Sequence, residues 1–340
     1  MRNWIDSLAN SQDIVISSSV QLARNIKDIY FTDKLNNEVA KDNVDNIYNI
    51  LTTSGENESF ELIKLWEQEY NYVKGYFYKN LISDKLLCRN DVGALIVNYD
   101  NTLAIMINEE DHIVIKCISD GLNLVEQYNY SNRIDDIIED KITYSFHERL
   151  GYLTASPKNM GTALTASIEI HLPALKFNKD LVRISKELSQ KGINIKSKYK
   201  KDEKDYGNIF ILYNIETLGL SEVDIITNLQ ETVLKIISEE KKTREILFTK
   251  YKYEIEDKVF RALAILQSCR MITSKEVIEL LSLVRLGVEM DLINIEKNKL
   301  NRILIETRDE FINNILEDES IDRYRDIERA KVVKEILNES

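Results

Sequence analysis

The densest group of reactive side chains is the pentapeptide NEEDH, Asn108 to His112. Three carboxylates beside an imidazole could hold a metal ion, act as a general base or orient a cationic substrate. The same residue types are also typical of an acidic turn between two strands. The pentapeptide is therefore a candidate site with a plain structural alternative, and the residues alone leave both open.

A second candidate is the stretch GYLTASPKNMGTALTAS, Gly151 to Ser167. It is rich in Ser, Thr, Gly and Pro, and loops of this kind often line binding sites on a rigid scaffold. A solvent-exposed loop without a function is the alternative. His147 and His171 have no nucleophile or carboxylate at a diagnostic spacing, so we predict structural roles for both.

Apolar spacing predicts the elements that position these residues. Steps of three and four residues predict helices between about residues 33 and 87. Strands are predicted over Val92 to Tyr99, Leu103 to Asn108 and His112 to Ser119, with short polar turns between them. These three strands form an antiparallel meander, and NEEDH lies at the junction of the last two.

The rest of the chain continues this α+β pattern. A helix follows at GLNLVEQYNYSNRIDDIIEDKI, and the segments ALTASIEIHLPAL and YGNIFILYNIE predict two more strands around a helix at DLVRISKELSQKG. Ser221 with Asp224 and Thr273 with Glu276 have the spacing of helix-capping boxes. After about residue 221 every segment is predicted to be helical.

Composition narrows the function classes. A formal charge of −12 and a pI near 5.0 argue against a general nucleic-acid or anionic-membrane binder. The three cysteines, Cys88, Cys117 and Cys269, show no disulfide or zinc spacing, which fits a reducing cytoplasm and predicts no metal site. No apolar window approaches a membrane span, and no Walker or dinucleotide motif occurs.

Taken together, the blocks resemble the bacterial protein-arginine kinases, the McsB branch of the phosphagen (guanidino) kinase family. The resemblance covers nearly the whole chain, through ISSSVQLARN, LAIMINEEDHIVIKC, the run from GLNLVEQ to HLPAL, YGNIF with LGLSE, and LLSLVRLGV. It implies a phosphagen-kinase-like antiparallel sheet flanked by helices. Residues 1–88 would form a small helical N-terminal part, 89–248 the sheet domain and 249–340 an all-α C-terminal domain.

The family moves the γ-phosphoryl group of Mg-ATP onto a guanidinium nitrogen of a protein arginine. Such chemistry needs arginines around the triphosphate and carboxylates around the guanidinium, and a reactive cysteine usually lies beside it. Compared with the family pattern, Arg24 and Asn25 are kept after Ser17 and Ser18, and Asn80 stands at a nucleotide-contacting histidine. Five residues stand at family arginines: Ser19, Gln21, Val114, Thr165 and Lys196.

The catalytic positions are also changed. Ser156 stands at the reactive cysteine, and Lys201 replaces a glutamate that helps to hold the guanidinium. Glu110 is the one major catalytic carboxylate retained. Since a hydrogen bond to a charged group contributes about 1.5–3 kcal/mol, three lost Arg–phosphate contacts remove roughly 4–9 kcal/mol. That corresponds to a factor of about 10³ to 10⁶ in binding or rate.

The phosphoarginine-binding motif of the family is matched more closely than its nucleotide site. The segment RDIERA, Arg325 to Ala330, matches the RDxxRA motif with which this branch binds phosphoarginine. Arg325 and Arg329 lie four residues apart on one helix face, where two guanidinium groups could meet a phosphate while Asp326 pairs with the ligand's guanidinium. An ordinary charged helix is the alternative.

These changes favour a catalytically impaired protein-arginine kinase homologue that acts as a phosphoarginine-binding or regulatory protein in protein quality control. The implied partners are a second copy in a homodimer, an active arginine kinase, its zinc-containing activator, a heat-shock repressor and a Clp ATPase-protease. Neither nucleic acid nor membrane is expected as a partner.

The alternative hypothesis is an active protein-arginine kinase with a rebuilt Mg-ATP site. In that case Glu110 remains the base, and Lys196, Lys198, Lys200 and Lys201 supply part of the lost charge. A kinase for small guanidines is disfavoured, because that branch lacks the C-terminal helical domain and needs the same missing arginines.

Overall fold

The computed structural model describes residues 14–55, 58–201, 204–316 and 322–339. Within these ranges the chain forms two compact units. The first unit holds residues 17–167 and 213–230, and the second holds the described residues of 14–16, 168–212 and 231–339. No helix in the described ranges is long and apolar enough to cross a membrane.

Twelve strands are present in the described residues. Eight of them form one sheet in the order β2-β3-β4-β5-β1-β8-β12-β9, and two short hairpins pair β6 with β7 and β10 with β11. In chain order the strands are β1 (Val15–Arg24), β2 (Phe60–Lys64), β3 (Ala94–Asn98), β4 (Leu103–Ile107), β5 (Ile113–Asp120), β6 (Phe146–His147), β7 (Gly151–Tyr152), β8 (Leu164–His171), β9 (Ile193–Ser197), β10 (Lys200–Lys201), β11 (Lys204–Asp205) and β12 (Ile209–Asn214).

Helices make up most of the remaining described chain. In chain order they are α1 (Asn37–Thr53), α2 (Tyr70–Tyr78), α3 (Asp84–Leu87), α4 (Leu124–Glu139), α5 (Pro173–Phe177), α6 (Leu181–Ser189), α7 (Glu222–Ser268), α8 (Ser274–Glu289), α9 (Lys297–Glu306), α10 (Asp309–Leu316) and α11 (Asp322–Asn338). The predicted α+β class, the three-strand meander and the helical C-terminal part are therefore confirmed.

The prediction of continuous helix up to residue 87 is wrong at Phe60–Lys64. This segment is strand β2, which pairs antiparallel with β3 from Phe60 opposite Asn98 to Lys64 opposite Ala94. Its apolar residues fit a helical period as well as a strand over so short a window, and pairing with the neighbouring strand decides the outcome. The helix predicted there is limited to α2.

Strand β1 was not predicted, because three consecutive serines hide its strand pattern. It lies inside the sheet and pairs antiparallel with β5 from Ser17 opposite Asp120 to Arg24 opposite Ile113. The Ser18 hydroxyl accepts a hydrogen bond from the backbone N–H of Asn123 at 3.0 Å. A buried hydroxyl with a partner costs little, so a serine-rich strand can be central.

The first unit packs helices on this sheet. Helix α1 begins after Asn36, whose side chain accepts a hydrogen bond from the backbone N–H of Glu38. Its buried residues Ala40, Val44, Ile47 and Leu51 follow the helical period on one face. Helix α4 packs against α1 and β5 and so covers the strand that follows NEEDH.

The predicted capping box at Ser221 is present, with the Ser221 N–H donating to the Asp224 carboxylate at 3.2 Å, whereas Thr273 acts as an N-cap. The backbone N–H of Asp224 donates to the Ser221 hydroxyl at 3.1 Å, and the N–H of Glu276 donates to the Thr273 hydroxyl at 3.2 Å. Helix α7 has one non-helical residue, Tyr251. The predicted domain boundary at 248/249 lies in this helix near that kink, and the three-part division of the chain stays a prediction.

The second unit has its own apolar core, built largely from α7 to α11. Helix α8 contacts α7 closely at Gly287, where a β-carbon would lie 2.4 Å from a methyl carbon of Val259. The buried core residues of the last four helices include Val277, Leu281, Val284, Leu300, Ile303, Ile312, Ala330, Val333 and Ile336, and Ile272 just before α8 joins them.

Candidate functional site

A cleft of about 190 Å³ opens in the first unit beside the turn between β4 and β5. Residues from distant parts of the sequence meet in it. The described lining residues are Gln21, Ala23, Ser83, Asp84, Lys85, Glu109, Glu110, Asp111, Val114, Asn159, Ala163 and Thr165. Four predicted site positions are among them: Gln21, Glu110, Val114 and Thr165.

Asn108 fixes the start of the NEEDH turn. Its backbone has a positive φ of 58°, a conformation that asparagine adopts more readily than most residues. Its side-chain amide donates to the backbone carbonyls of Ala40 and Val92, each at 2.9 Å. The turn is thus anchored to the helical layer and to the chain just before β3.

His112 fixes the other end of the turn. The backbone N–H of Ile26 donates to its Nδ1 at 3.0 Å, so Nδ1 is unprotonated and Nε2–H donates to the Tyr30 carbonyl at 2.9 Å. Burial lowers the pKa of His112 and outweighs the hydrogen bond to Tyr30. His112 is therefore a neutral structural residue.

Two of the three carboxylates of the NEEDH turn are held in place by hydrogen bonds. Glu109 accepts hydrogen bonds from the Ser83 hydroxyl and, at 2.7 Å, from the backbone N–H of Glu110. Asp111 accepts from the Asn25 amide at 2.6 Å and from the backbone N–H of Ala155 at 2.7 Å.

The environment of Asp111 raises its pKa. Burial is the largest cause and outweighs its hydrogen bonds, and the nearby charges of Glu110 and Glu109 act in the same direction as burial. Asp111 lies in the NEEDH turn and one of its donors, Ala155, lies in the 151–167 loop, so Asp111 joins two segments that the sequence singled out separately. The loop is therefore part of the site's scaffold.

Glu110 projects into the cleft, with 31% of its side chain exposed. One carboxylate oxygen lies 2.6 Å from the ammonium of Lys85, whose side chain is 54% exposed. The backbone carbonyl of Glu110 accepts from the Thr32 hydroxyl at 2.6 Å. Lys85 was not predicted as a site residue, and no signal reveals it, since the contact joins residues 25 positions apart.

The remaining predicted cleft positions carry no charge. Gln21 and Ala23 on β1 lie opposite Lys116 and Val114 on β5. Val114 is buried, and Thr165 on β8 is half-buried. Where the resemblance places arginines, the cleft therefore presents an amide, an isopropyl group and a hydroxyl.

The three serines before Gln21 are buried residues of strand β1. Ser17, Ser18 and Ser19 are all buried, and none of them belongs to the residues that line the cleft in the described structure. The Ser19 hydroxyl is hydrogen-bonded to that of Ser167 at 2.8 Å.

The side chain of Asn80 is hydrogen-bonded to another residue of the first unit. It follows α2 with a positive φ of 59°, and its amide oxygen accepts from the Lys116 ammonium at 3.3 Å. Lys116 is not among the predicted site residues, although it lies two residues after Val114 and thus on the same face of β5. It is a basic group close to one of the lost arginine positions.

Arg24 is part of the scaffold. Its guanidinium is buried and donates to Asp135 at 2.9 Å and to the backbone carbonyl of Thr162 at 3.0 Å. It also lies 3.4 Å from Glu222 and 3.6 Å from the centre of the Tyr152 ring. With these partners Arg24 holds the elements of the first unit together.

Ser156, at the expected position of the cysteine, begins the short 3-10 helix Pro157–Asn159. Its backbone carbonyl accepts from the Thr154 hydroxyl at 2.8 Å. The residue is half-buried, and of this turn Asn159 lines the cleft. A hydroxyl there lacks the thiolate chemistry of cysteine.

Lys196 and Lys201 belong to the second unit. Lys196 is exposed near the end of β9, and Lys201 lies in β10 opposite Lys204. The Lys198 ammonium lies 2.5 Å from the carboxylate of Glu169, and both side chains are largely buried. The charge of Lys198, one of the lysines that could replace a lost arginine, is therefore already paired with a carboxylate.

The RDIERA segment lies on α11, and its second arginine is buried. The Arg329 guanidinium donates to the backbone carbonyls of Thr307 at 2.7 Å and Ile272 at 2.8 Å. It also pairs with Asp326 at 2.5 Å and with Asp309. Arg329 thus joins α11 to the ends of the neighbouring helices.

The other residues of the motif have separate positions. Arg325 has a side chain that is 25% exposed and pairs with Asp322 one turn earlier on α11. Ala330 is buried in the core of the second unit. The structure therefore places the motif on one helix, with one arginine near the surface and one inside.

No group of three His, Cys, Asp or Glu residues that could hold a metal ion occurs in the described part of the chain.

Comparison with known proteins decides the family. Residues 42–243 match the family described as ATP:guanido phosphotransferase, C-terminal catalytic domain, and residues 252–340 match the McsB C-terminal domain of protein-arginine kinase. A protein-arginine kinase of Clostridium botulinum is 46% identical over 337 residues, which cover 99% of each protein. The chain belongs to the protein-arginine kinase family.

Another member of the protein-arginine kinase family gives the same result. The protein-arginine kinase of Geobacillus stearothermophilus is 38% identical over 337 residues, covering 98% of this chain and 93% of the relative. Among solved structures, lombricine kinase is similar with a TM-score of 0.58 at 20% identity over 70% of each chain. This likeness shows the phosphagen-kinase fold, and the predicted resemblance is confirmed.

Proposed function

We propose that this member of the protein-arginine kinase family is catalytically impaired and acts as a phosphoarginine-binding or regulatory protein in protein quality control. The observation that carries the proposal is the charge of the cleft. Its described lining residues include four carboxylates and one lysine but no arginine. Such a cleft attracts cations, whereas the family reaction requires a site for a polyanion.

Magnitudes support this proposal. Two unit charges 4 Å apart interact by about 1 kcal/mol in water and about 4 kcal/mol near a protein surface. Several carboxylates near a triphosphate therefore oppose binding by an amount comparable with the lost arginine contacts. The residues that line the cleft therefore do not fit Mg-ATP.

Nucleotide binding is the direct test. We expect no rise in the melting temperature of the full chain with millimolar Mg-ATP, since a ligand stabilises only by binding the folded state. The Clostridium botulinum relative serves as the matched positive control. A rise for this chain similar to that of the relative would refute the proposal.

The phosphoarginine part of the proposal rests on Arg325 and Arg329. Because the Arg329 guanidinium is already bound by carboxylates, a phosphate must replace Asp309, whose side chain is half exposed. We expect calorimetry with free phosphoarginine to show binding that weakens in Arg325→Ala and strengthens in Asp309→Ala. Arg323→Ala, an exposed change on the same helix, is the control.

The alternative, an active kinase, has two observations in its favour. Glu110 projects into the cleft, and Lys116 supplies a cation near a lost arginine position. Acid-labile phosphate on an arginine-rich acceptor, incorporated from radiolabelled ATP and absent in Glu110→Gln, would establish this alternative over our proposal.

A homodimer in the cytoplasm is part of the proposal. Tyr253 and Phe260 are exposed on α7 after its kink and lie seven residues apart, so they form one exposed α7 stripe. We propose that this stripe packs against the same stripe of a second copy. Light scattering should show a dimer that dissociates in Tyr253→Glu, whereas a dimer unchanged in this variant would exclude the α7 stripe as its interface.

Other proposed partners are an active arginine kinase, its zinc-containing activator, a heat-shock repressor and a Clp ATPase-protease. They follow from membership of the family and from the resemblance.

A further inference from the structure

Of the three carboxylates of the NEEDH turn, Glu110 is the one that is exposed to a ligand in the cleft. Glu109 is buried, and each of its oxygens accepts a hydrogen bond, from the Ser83 hydroxyl and from a backbone N–H. Asp111 is also buried and accepts two hydrogen bonds. The Glu110 carboxylate, in contrast, is partly exposed and faces the cleft.

The chain itself supplies a cation to this carboxylate. Lys85 enters the cleft from α3, a four-residue helix that begins after Ser83. Its ammonium lies 2.6 Å from Glu110, and the charges of Glu109 and Asp111 add to the attraction. Burial alone would disfavour the ammonium, but Glu110 raises the pKa of Lys85, which therefore stays charged.

We propose that Lys85 determines which cations the cleft admits, by acting as an internal competitor for a guanidinium group at Glu110. Arginine side chains of other proteins then bind only when they displace the ammonium. The inference rests on the proposed function, because it assumes a cleft without nucleotide, but its test uses none. It assigns this side chain a role in specificity that the sequence did not predict.

Displacement is chemically feasible. The Lys85 side chain is 54% exposed, and an exposed ion pair contributes little to stability, so the ammonium can leave. A guanidinium is planar and donates two parallel hydrogen bonds to a carboxylate, which a compact ammonium cannot do. The competitor therefore weakens binding without abolishing it.

Methylguanidinium titrations followed by amide NMR of the full chain test this inference. We expect Lys85→Met to bind methylguanidinium about threefold to tenfold more tightly than the wild type, because a competing and repelling charge is removed. Shifts should appear at the amides of Glu109, Glu110 and Ala155. Neutral methylurea, which has nearly the same shape, should show no gain.

Two further variants separate a cleft effect from a general change in charge. Lys141→Met removes a surface lysine that pairs with Asp140 at the same 2.6 Å distance but lies outside the cleft. It should leave the affinity unchanged. The gain of Lys85→Met should disappear when Glu110→Gln is added.

Three results would overturn the inference: no gain in Lys85→Met, an equal gain in Lys141→Met, or a gain that persists without the Glu110 carboxylate. Failure of the proposed function is distinguishable, since it appears as stabilisation of the wild type by Mg-ATP. A chain that binds Mg-ATP can still show the Lys85 effect or lack it.

Discussion

The cleft at Glu110 and the arginines of α11 use charge in opposite ways. In the cleft, a carboxylate is partly exposed and its cation is a flexible lysine on the surface. On α11, Arg329 is fully buried and bound by two backbone carbonyls and two carboxylates. The difference shows that a retained motif residue can be buried among structural partners, while a residue outside every motif lines the cleft.

Loss of Arg329 should have the largest effect on stability. We expect Arg329→Ala to lower the free energy of unfolding by about 2–4 kcal/mol, because it leaves the carbonyls of Thr307 and Ile272 without their donor. Urea denaturation measures this change. Arg323→Ala should stay within about 0.5 kcal/mol, and an Arg329→Ala protein as stable as that control would show that Arg329 is held for a ligand alone.

Restoring charge to the cleft should have the next largest effect. Gln21 is half-buried and lines the cleft, so Gln21→Arg can present a guanidinium there. One regained contact to a phosphate should strengthen Mg-ATP binding by about tenfold to a hundredfold. Calorimetry at high protein concentration checks this, and Gln21→Lys serves as the charge-matched control. Equal effects of both variants would argue against a bidentate phosphate contact.

Acid should destabilise both structural units through buried histidines. His112 in the first unit and His171 in the second have pKa values lowered chiefly by burial. Since the unfolded state then binds protons first, this stability is present above about pH 6.5 and falls as the pH drops toward the folded pKa. Each histidine contributes a slope of up to about 1.4 kcal/mol per pH unit.

The variants His112→Gln and His171→Gln should each reduce that slope, measured by urea denaturation between pH 7.5 and 5.5. His147 is exposed, so His147→Gln provides the control. A slope that is the same in all three variants would place the acid sensitivity elsewhere.

Loss of Lys85 should change stability least. Lys85→Met removes a half-exposed ion pair, so the free energy of unfolding should change by less than about 0.5 kcal/mol. Thermal denaturation beside Lys141→Met checks this. A loss above 1 kcal/mol would mean that Lys85 has a structural role like that of Arg329.

The sequence predicts most of the fold because the spacing of apolar residues is regular in most strands and helices. Strands β3 to β5 and the helix caps at Ser221 and Thr273 were predicted from alternation and from residue pairs three apart. Strand β1 was missed because buried serines find partners only in the folded chain, as Ser19 does at Ser167. At strand β2 the sequence predicts helix, because five residues fit both periods.

The residues of the cleft were predictable only at positions that match a family motif. Gln21, Glu110, Val114 and Thr165 do meet in one cleft. Lys85 was not predictable, because a lone lysine has no pattern and its partner is distant in sequence. The burial of Arg329 was also not predictable, since two arginines four residues apart look the same on an exposed helix and a packed one.

The hydrogen bonds of His112 also give the molecule a spectroscopic reporter. Because the Ile26 N–H occupies Nδ1 and the proton stays on Nε2, the ring is locked in one tautomer directly beside Glu110 and Asp111. The nitrogen resonances of this ring should therefore be well separated and should shift when a cation enters the cleft. Ligand binding can then be followed on the unmodified chain, without a dye or a mutation.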